Sequence, residues 1–153
     1  MNAINPISCS DLVSELVKRW PEKEASTAPK ERLLFVDDNT DYCVLFKQAF
    51  GKYGYYDIHV ASTGEEGVRL FRLHQPFLVV FLDLAMPRMD GIEVFKKVRE
   101  LNPLQYVVVI TGALNEDFTK RLREFFCYGI AFKPIDFNML AGILHSHINP
   151  PVA

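Results

Sequence analysis

Three short runs of consecutive apolar residues constrain this chain most: Leu33–Val36, Phe77–Leu82 and Tyr106–Ile110. Each is too short for a helix that fills a core, and valine and phenylalanine recur in them. An unbroken apolar run of that length is the pattern of a strand covered on both faces. Between the runs the apolar spacing lengthens to that of helices. A chain that alternates buried strands with amphipathic helices folds as a parallel sheet with helices on both sides.

The remaining elements follow from spacing. The pattern predicts strands at Arg32–Val36, Asp57–Ala61, Phe77–Leu82, Tyr106–Ile110 and Ile130–Phe132. It predicts helices at Thr40–Phe50, Gly64–His74, Ile92–Leu101, Glu116–Phe126 and Phe137–Ile148. Tyr42, Leu45, Phe46, Ala49 and Phe50 mark the inward side of the first helix. Phe118, Leu122, Phe125 and Phe126 do so for the fourth. The second helix is the least regular, because Gly64 and Gly67 weaken it. Residues 1–30 stand apart as an amino-terminal extension. Ser10–Trp20 has an amphipathic helical pattern capped by Ser10, and the polar stretch after Pro21 reads as a linker. Residues 31–149 form the expected globular domain.

At 153 residues, 49% apolar and 12% aromatic, the chain has material for one real core. Net charge is −2 with no basic run, so neither nucleic acid nor an anionic membrane is an expected partner. No apolar stretch approaches the roughly 20 residues of a spanning helix. Cys9, Cys43 and Cys127 form no C-x-x-C pair and read as reduced thiols, in keeping with a cytoplasmic setting. His145 and His147 lie two apart on a helix and diverge by roughly 200°; they do not read as a metal pair.

The chemistry lies where strands end. Right-handed crossovers bring all strand carboxyl ends to one rim. There the pattern collects Asp37, Asp38, Asp83, Thr111 and Lys133. Three carboxylates at one rim repel each other unless a cation joins them. Magnesium takes oxygen ligands and suits one or two carboxylates with waters; Asp37, Asp38 and Asp83, with the backbone carbonyl of Ala85, can supply them. A carboxylate is also a nucleophile toward phosphorus, giving an aspartyl phosphate. The cation and Lys133 would offset phosphoryl charge, and the Thr111 hydroxyl can donate to an oxyanion.

The stretches Leu33-Leu-Phe-Val-Asp-Asp38, Leu82-Asp-Leu-Ala-Met-Pro-Arg-Met-Asp-Gly91, Val109-Ile-Thr-Gly112 and Phe132-Lys-Pro134 strongly resemble the receiver domain of bacterial two-component response regulators. The similarity runs from about Glu31 to Ile148. It implies a flavodoxin-like (βα)5 fold of strand order 2-1-3-4-5. It implies that Asp83 accepts a phosphoryl group from a histidine kinase or a phosphotransfer protein. It further implies that Asp37, Asp38, Asp83 and the Ala85 carbonyl hold Mg2+, that Lys133 holds a phosphoryl oxygen, and that Thr111 moves to report the phosphoryl group. Partner contacts, with an effector or with a second copy, are implied on the helix 4–strand 5–helix 5 face.

The chain departs from that pattern in places. Ile130 stands where the family carries an aromatic gate; Tyr128 and Phe132 flank it without being obvious replacements. Ala85 and Ala113 cannot orient an attacking water, so slow hydrolysis of the aspartyl phosphate is expected. The last helix finishes near Ile148, five residues before Ala153, so the expectation is a single-domain switch without a DNA-binding output. Its alternatives are a phosphorylation-independent scaffold of receiver shape and a relay carrier. A magnesium-dependent phosphatase with an aspartate nucleophile would need a second acid two residues on, where Ala85 stands. The expectation is a signalling domain, not a turnover enzyme.

Overall fold

A computed structural model describes residues 29–51, 54–112, 116–123 and 127–148, with Phe118 and Ile148 described in backbone only. The helix expected at Ser10–Trp20, with Cys9, and positions Ala113, Phe125 and Phe126 lie outside them. Five parallel strands form one sheet in the order β2-β1-β3-β4-β5. They are β1 (Glu31–Val36), β2 (Tyr56–Ala61), β3 (Val79–Asp83), β4 (Val107–Thr111) and β5 (Gly129–Phe132). The helices are α1 (Thr40–Gly51), α2 (Gly64–His74), α3 (Gly91–Leu101), α4 (Glu116–Leu122) and α5 (Phe137–Ile148). The flavodoxin-like order expected from the resemblance is the order observed.

Alternation along the central strands explains the unbroken apolar runs. Leu33, Phe35, Val79, Phe81, Val108 and Ile110 face one core, with Phe46 and Phe50 of α1 and Leu140 and Leu144 of α5. Their neighbours Leu34, Val36, Val80 and Leu82 face the other, with Phe71 of α2 and Val94, Phe95 and Val98 of α3. Each such side chain contributes about 1.5–3 kcal/mol when fully buried. Phe46 is the hub of the first core, stacked on Phe35 at 4.5 Å and tilted against Phe81 at 5.4 Å. A smaller cluster joins Leu84, Ile92, Val109 and Leu122, with Ile130 of β5 packed against it.

The glycines of α2 weaken the isolated helix but suit this packing. A Cβ on Gly67 would come within 2.9 Å of Val36, and one on Gly64 within 2.7 Å of the Met89 carbonyl oxygen. The helix therefore lies closer to β1 and to the β3–α3 loop than any side chain would permit. Thr63 caps α2, its hydroxyl accepting from the Glu66 N–H at 3.2 Å; Asp90 caps α3 through Glu93 at 3.0 Å. Strands β3 and β4 begin later than their apolar runs, at Val79 and Val107, and end one residue beyond them, taking in Asp83 and Thr111. The helical spacing expected to Phe126 gives a helix that ends at Leu122, followed by a turn at Arg123.

Gly91 sits so close to the Asp83 carbonyl and Leu84 Cα that a Cβ would collide with backbone. Gly91→Ala should cost more than about 2 kcal/mol, whereas Gly142→Ala, in open space on α5, should gain about 0.5–1 kcal/mol; urea denaturation measures both. Burial pushes His147 below the ordinary imidazole value, against the pull of Glu31. The unfolded chain then takes up this proton first, so stability is lost as pH falls through about 6.5. The melting temperature of wild type relative to His147→Gln should therefore decrease between about pH 7.5 and pH 5 in thermal melts.

Candidate functional site

The carboxyl ends of β1 and β3 lie side by side, at the point where the strand order reverses and doubly wound sheets open a crevice. Asp37 follows β1, and its N–H donates to the Ala61 carbonyl at 3.0 Å, which anchors it to the end of β2. Asp83 is the last residue of β3. Both carboxylates are buried, at 0% and 1% exposure, while Asp38 is exposed. One oxygen from each of Asp37, Asp38 and Asp83 lies within 4.8 Å of the others, the metal-capable cluster of this kind found among the described residues.

Lys133 reaches into this cluster from the end of β5. Its ammonium lies 2.9 Å from Asp37 Oδ2 and donates to Asp37 Oδ1 at 3.2 Å and to Asp83 Oδ2 at 3.1 Å. Its backbone N–H donates to the Thr111 carbonyl at 2.8 Å, which ties the lysine to the end of β4. Thr111 is buried there, one residue beyond Ile110, the β4 partner of Asp83. The Lys133–Pro134 peptide is cis. The structure thus brings Asp37, Asp38, Asp83 and Lys133 into one pocket and sets Thr111 at its rim. The Ala85 N–H donates to Asp83 Oδ1 at 3.2 Å.

Electrostatics follow from burial. Loss of solvent pushes Asp83 up to about 7, the Asp37 charge adds to the rise, and Lys133 opposes it. Burial works against the Lys133 ammonium, yet Asp37 and Asp83 outweigh it and hold the group above the ordinary lysine value. Asp37 Oδ2 is buried and accepts no hydrogen bond, the nearby ammonium being an ion pair only. An oxygen-rich cluster with an unsatisfied buried carboxylate oxygen and excess negative charge fits a hard divalent cation. The same arrangement suits an anionic group that arrives with one.

Some supporting residues are not evident from spacing. Asn39 donates its N–H to Asp37 Oδ1 at 2.9 Å, and its own Oδ1 accepts from the Asp41 and Tyr42 N–H groups at the start of α1. Its sequence signal is an Asx residue directly before a helix. Gly91 closes the loop after Asp83 by donating its N–H to the Leu84 carbonyl at 2.9 Å, and Arg88 in that loop takes a left-handed φ of 65°. Asp90 caps α3 and also receives Arg121 of α4 at 2.9 Å. Cys43 packs beneath the site, its thiol donating to the Asp37 carbonyl and pushed up to about 11 by burial and the Asp37 charge. It therefore stays protonated and structural. Ile130 is half-buried in the small cluster, whereas Phe132, two residues on, is 54% exposed.

Comparison with known proteins bears on this geometry. Residues 33–145 match the response regulator receiver domain. The alkaline phosphatase synthesis transcriptional regulatory protein PhoP of Bacillus subtilis is 35% identical over 92 residues, covering 60% of this chain and 37% of that protein. The chain thus spans little more than a third of that relative. Sporulation initiation phosphotransferase F of Bacillus subtilis is 26% identical over 118 residues, covering 77% of this chain and 94% of that protein. Among solved structures, the CheX-CheY-BeF3-Mg+2 complex from Borrelia burgdorferi superimposes with a TM-score of 0.66 at 26% identity, covering 77% of this chain and 88% of that one. The match extends over most of the chain and reaches every strand of the sheet: the chain belongs to the response regulator receiver domain family.

Proposed function

We propose that Asp83 is the phosphoacceptor of this receiver domain, that Asp37, Asp38, Asp83 and the Ala85 carbonyl hold Mg2+, and that Lys133 and Thr111 bind the phosphoryl oxygens. The observation that carries this reading is the Lys133 ammonium, held 3.1 Å from Asp83 and 2.9 Å from Asp37 inside the three-carboxylate cluster. The Asp83 carboxylate attacks phosphorus; an O–P bond forms and the P–N bond to a donor histidine breaks, the leaving imidazole taking a proton from water. The chemistry a bound divalent cation supplies is offset of charge on the phosphoryl oxygens. No general base is needed, because the attacking group is already ionised once cation and lysine share its charge.

The phosphoryl group then alters contacts with other proteins. The donor is a histidine kinase or phosphotransfer protein, and the responding surface is the α4–β5–α5 face, where Phe132 is exposed. Ile130, packed against Leu84, Ile92, Val109 and Leu122, favours a second reading. With no aromatic gate there, the domain would carry phosphoryl groups in a relay without changing shape. The name of one relative, a phosphotransferase, is in keeping with it. No described helix is long and apolar enough to cross a membrane, and the proposed site of action is the cytoplasm.

Mg2+ should raise the melting temperature of wild type by an amount that follows RT ln(1 + [L]/Kd), and Asp37→Asn should abolish most of that gain in a thermal-shift titration. Acetyl phosphate with Mg2+ should add one phosphoryl group by intact mass to wild type and none to Asp83→Asn. An unlabelled wild type would refute the acceptor role. A labelled protein whose self-association and partner contacts do not change would support the relay carrier. Ala85→Glu should change the decay rate of the adduct; a change below about twofold, under roughly 0.5 kcal/mol of barrier, would show that this position does not govern hydrolysis.

A further inference from the structure

We propose that Tyr42 is a positioning residue for Lys133, a neutral wall that keeps the ammonium over the acidic pocket. The inference rests on the acceptor reading above and names a residue that reading does not use. A lysine ammonium has three N–H donors on a flexible four-carbon stem. Asp37 and Asp83 hold it on one side, at 2.9 Å and 3.1 Å. On another lies the Tyr42 ring, with Nζ 5.1 Å from the ring centroid. That is inside the ~6 Å range of cation–π attraction.

The ring is well placed to act as a wall. Tyr42 is the third residue of α1, and its N–H donates to Asn39 Oδ1 at 3.3 Å. Its side chain packs against the core formed by β1, α1 and α5. The same Asn39 orders Asp37 through its own N–H, so ring and carboxylate are set by one local turn. Charge explains why an aromatic suits this position. An acid there would repel an incoming phosphoryl group, and a base would repel Lys133. A π face attracts the ammonium and adds no net charge to a pocket that already holds three carboxylates. An aliphatic side chain would fill the space without the attraction, and Lys133 would sample positions away from Asp83.

The test separates ring from bulk. In wild type the Lys133 side-chain methylene resonances should be shifted upfield by the ring current. Tyr42→Phe should keep that shift and label with acetyl phosphate within about twofold of wild type. Tyr42→Leu should lose the shift and label about three- to tenfold more slowly, the range expected for a cation–π contact at a partly exposed site. Lys133→Met and the double variant complete a cycle; the Tyr42→Leu penalty should vanish once Lys133 is gone. A thermal melt of each variant checks folding, and Tyr42→Met replaces Tyr42→Leu should the latter unfold. Equal labelling of wild type and Tyr42→Leu would overturn the inference. So would equal slowing in Tyr42→Phe and Tyr42→Leu, or a penalty that persists without Lys133. A wild type that takes no label sinks the acceptor reading and this inference together, whereas a labelled wild type with an indifferent Tyr42 sinks the inference alone.

Discussion

The ammonium of Lys133, set between two buried carboxylates, is the contact on which the site depends. It joins residues 96 and 50 positions apart in sequence. Burial and the Asp37 charge push Asp83 up to about 7 even though Lys133 opposes the rise. Removing one partner of such a group leaves an uncompensated buried charge, which generally costs several kcal/mol. The arrangement still carries more negative than positive charge. Under the proposed function, that imbalance is what a cation and a phosphoryl group together would correct.

Much of the surrounding structure keeps these groups in place. The central strands β3 and β4 are buried on both faces, so a one-residue slip in register would turn Asp83 into a packed core. Gly91 lets the loop after Asp83 fold back onto its own strand, and Asp90 binds α4 to the start of α3 through Arg121. These contacts put α4 in mechanical connection with the acidic loop. The α4–β5 side is built differently from the rest of the core. Its cluster is small and joins Ile130 to Leu84, the residue after Asp83. An aliphatic side chain in that position can transmit displacement by packing, but it has no ring to swing between inside and outside.

The sheet was legible because burial on two faces leaves a simple trace, an unbroken apolar run. The acids were legible because a charge at the end of such a run has few structural reasons to be there. Element ends were less so. Asp83 and Thr111 belong to their strands by hydrogen bonding, yet polarity separates them from the apolar runs. The glycines of α2 count against a helix in isolation; only the nearness of Val36 and Met89 shows why they suit it. Asn39 and Gly91 support the site through backbone geometry, for which residue type alone is a weak sign.

Sequence alone determined the alternation of elements, the strand order through its motif resemblance, and the identity of the acids and the lysine. Those follow from local hydrophobic period and from residue type, which each position carries independently. Tertiary structure decided which oxygens meet the ammonium, how far burial raises Asp83, which side of Lys133 Tyr42 covers, and that Ile130 packs while Phe132 is exposed. Distance and dielectric are properties of the assembled chain, set by contacts between residues that spacing along the backbone does not relate.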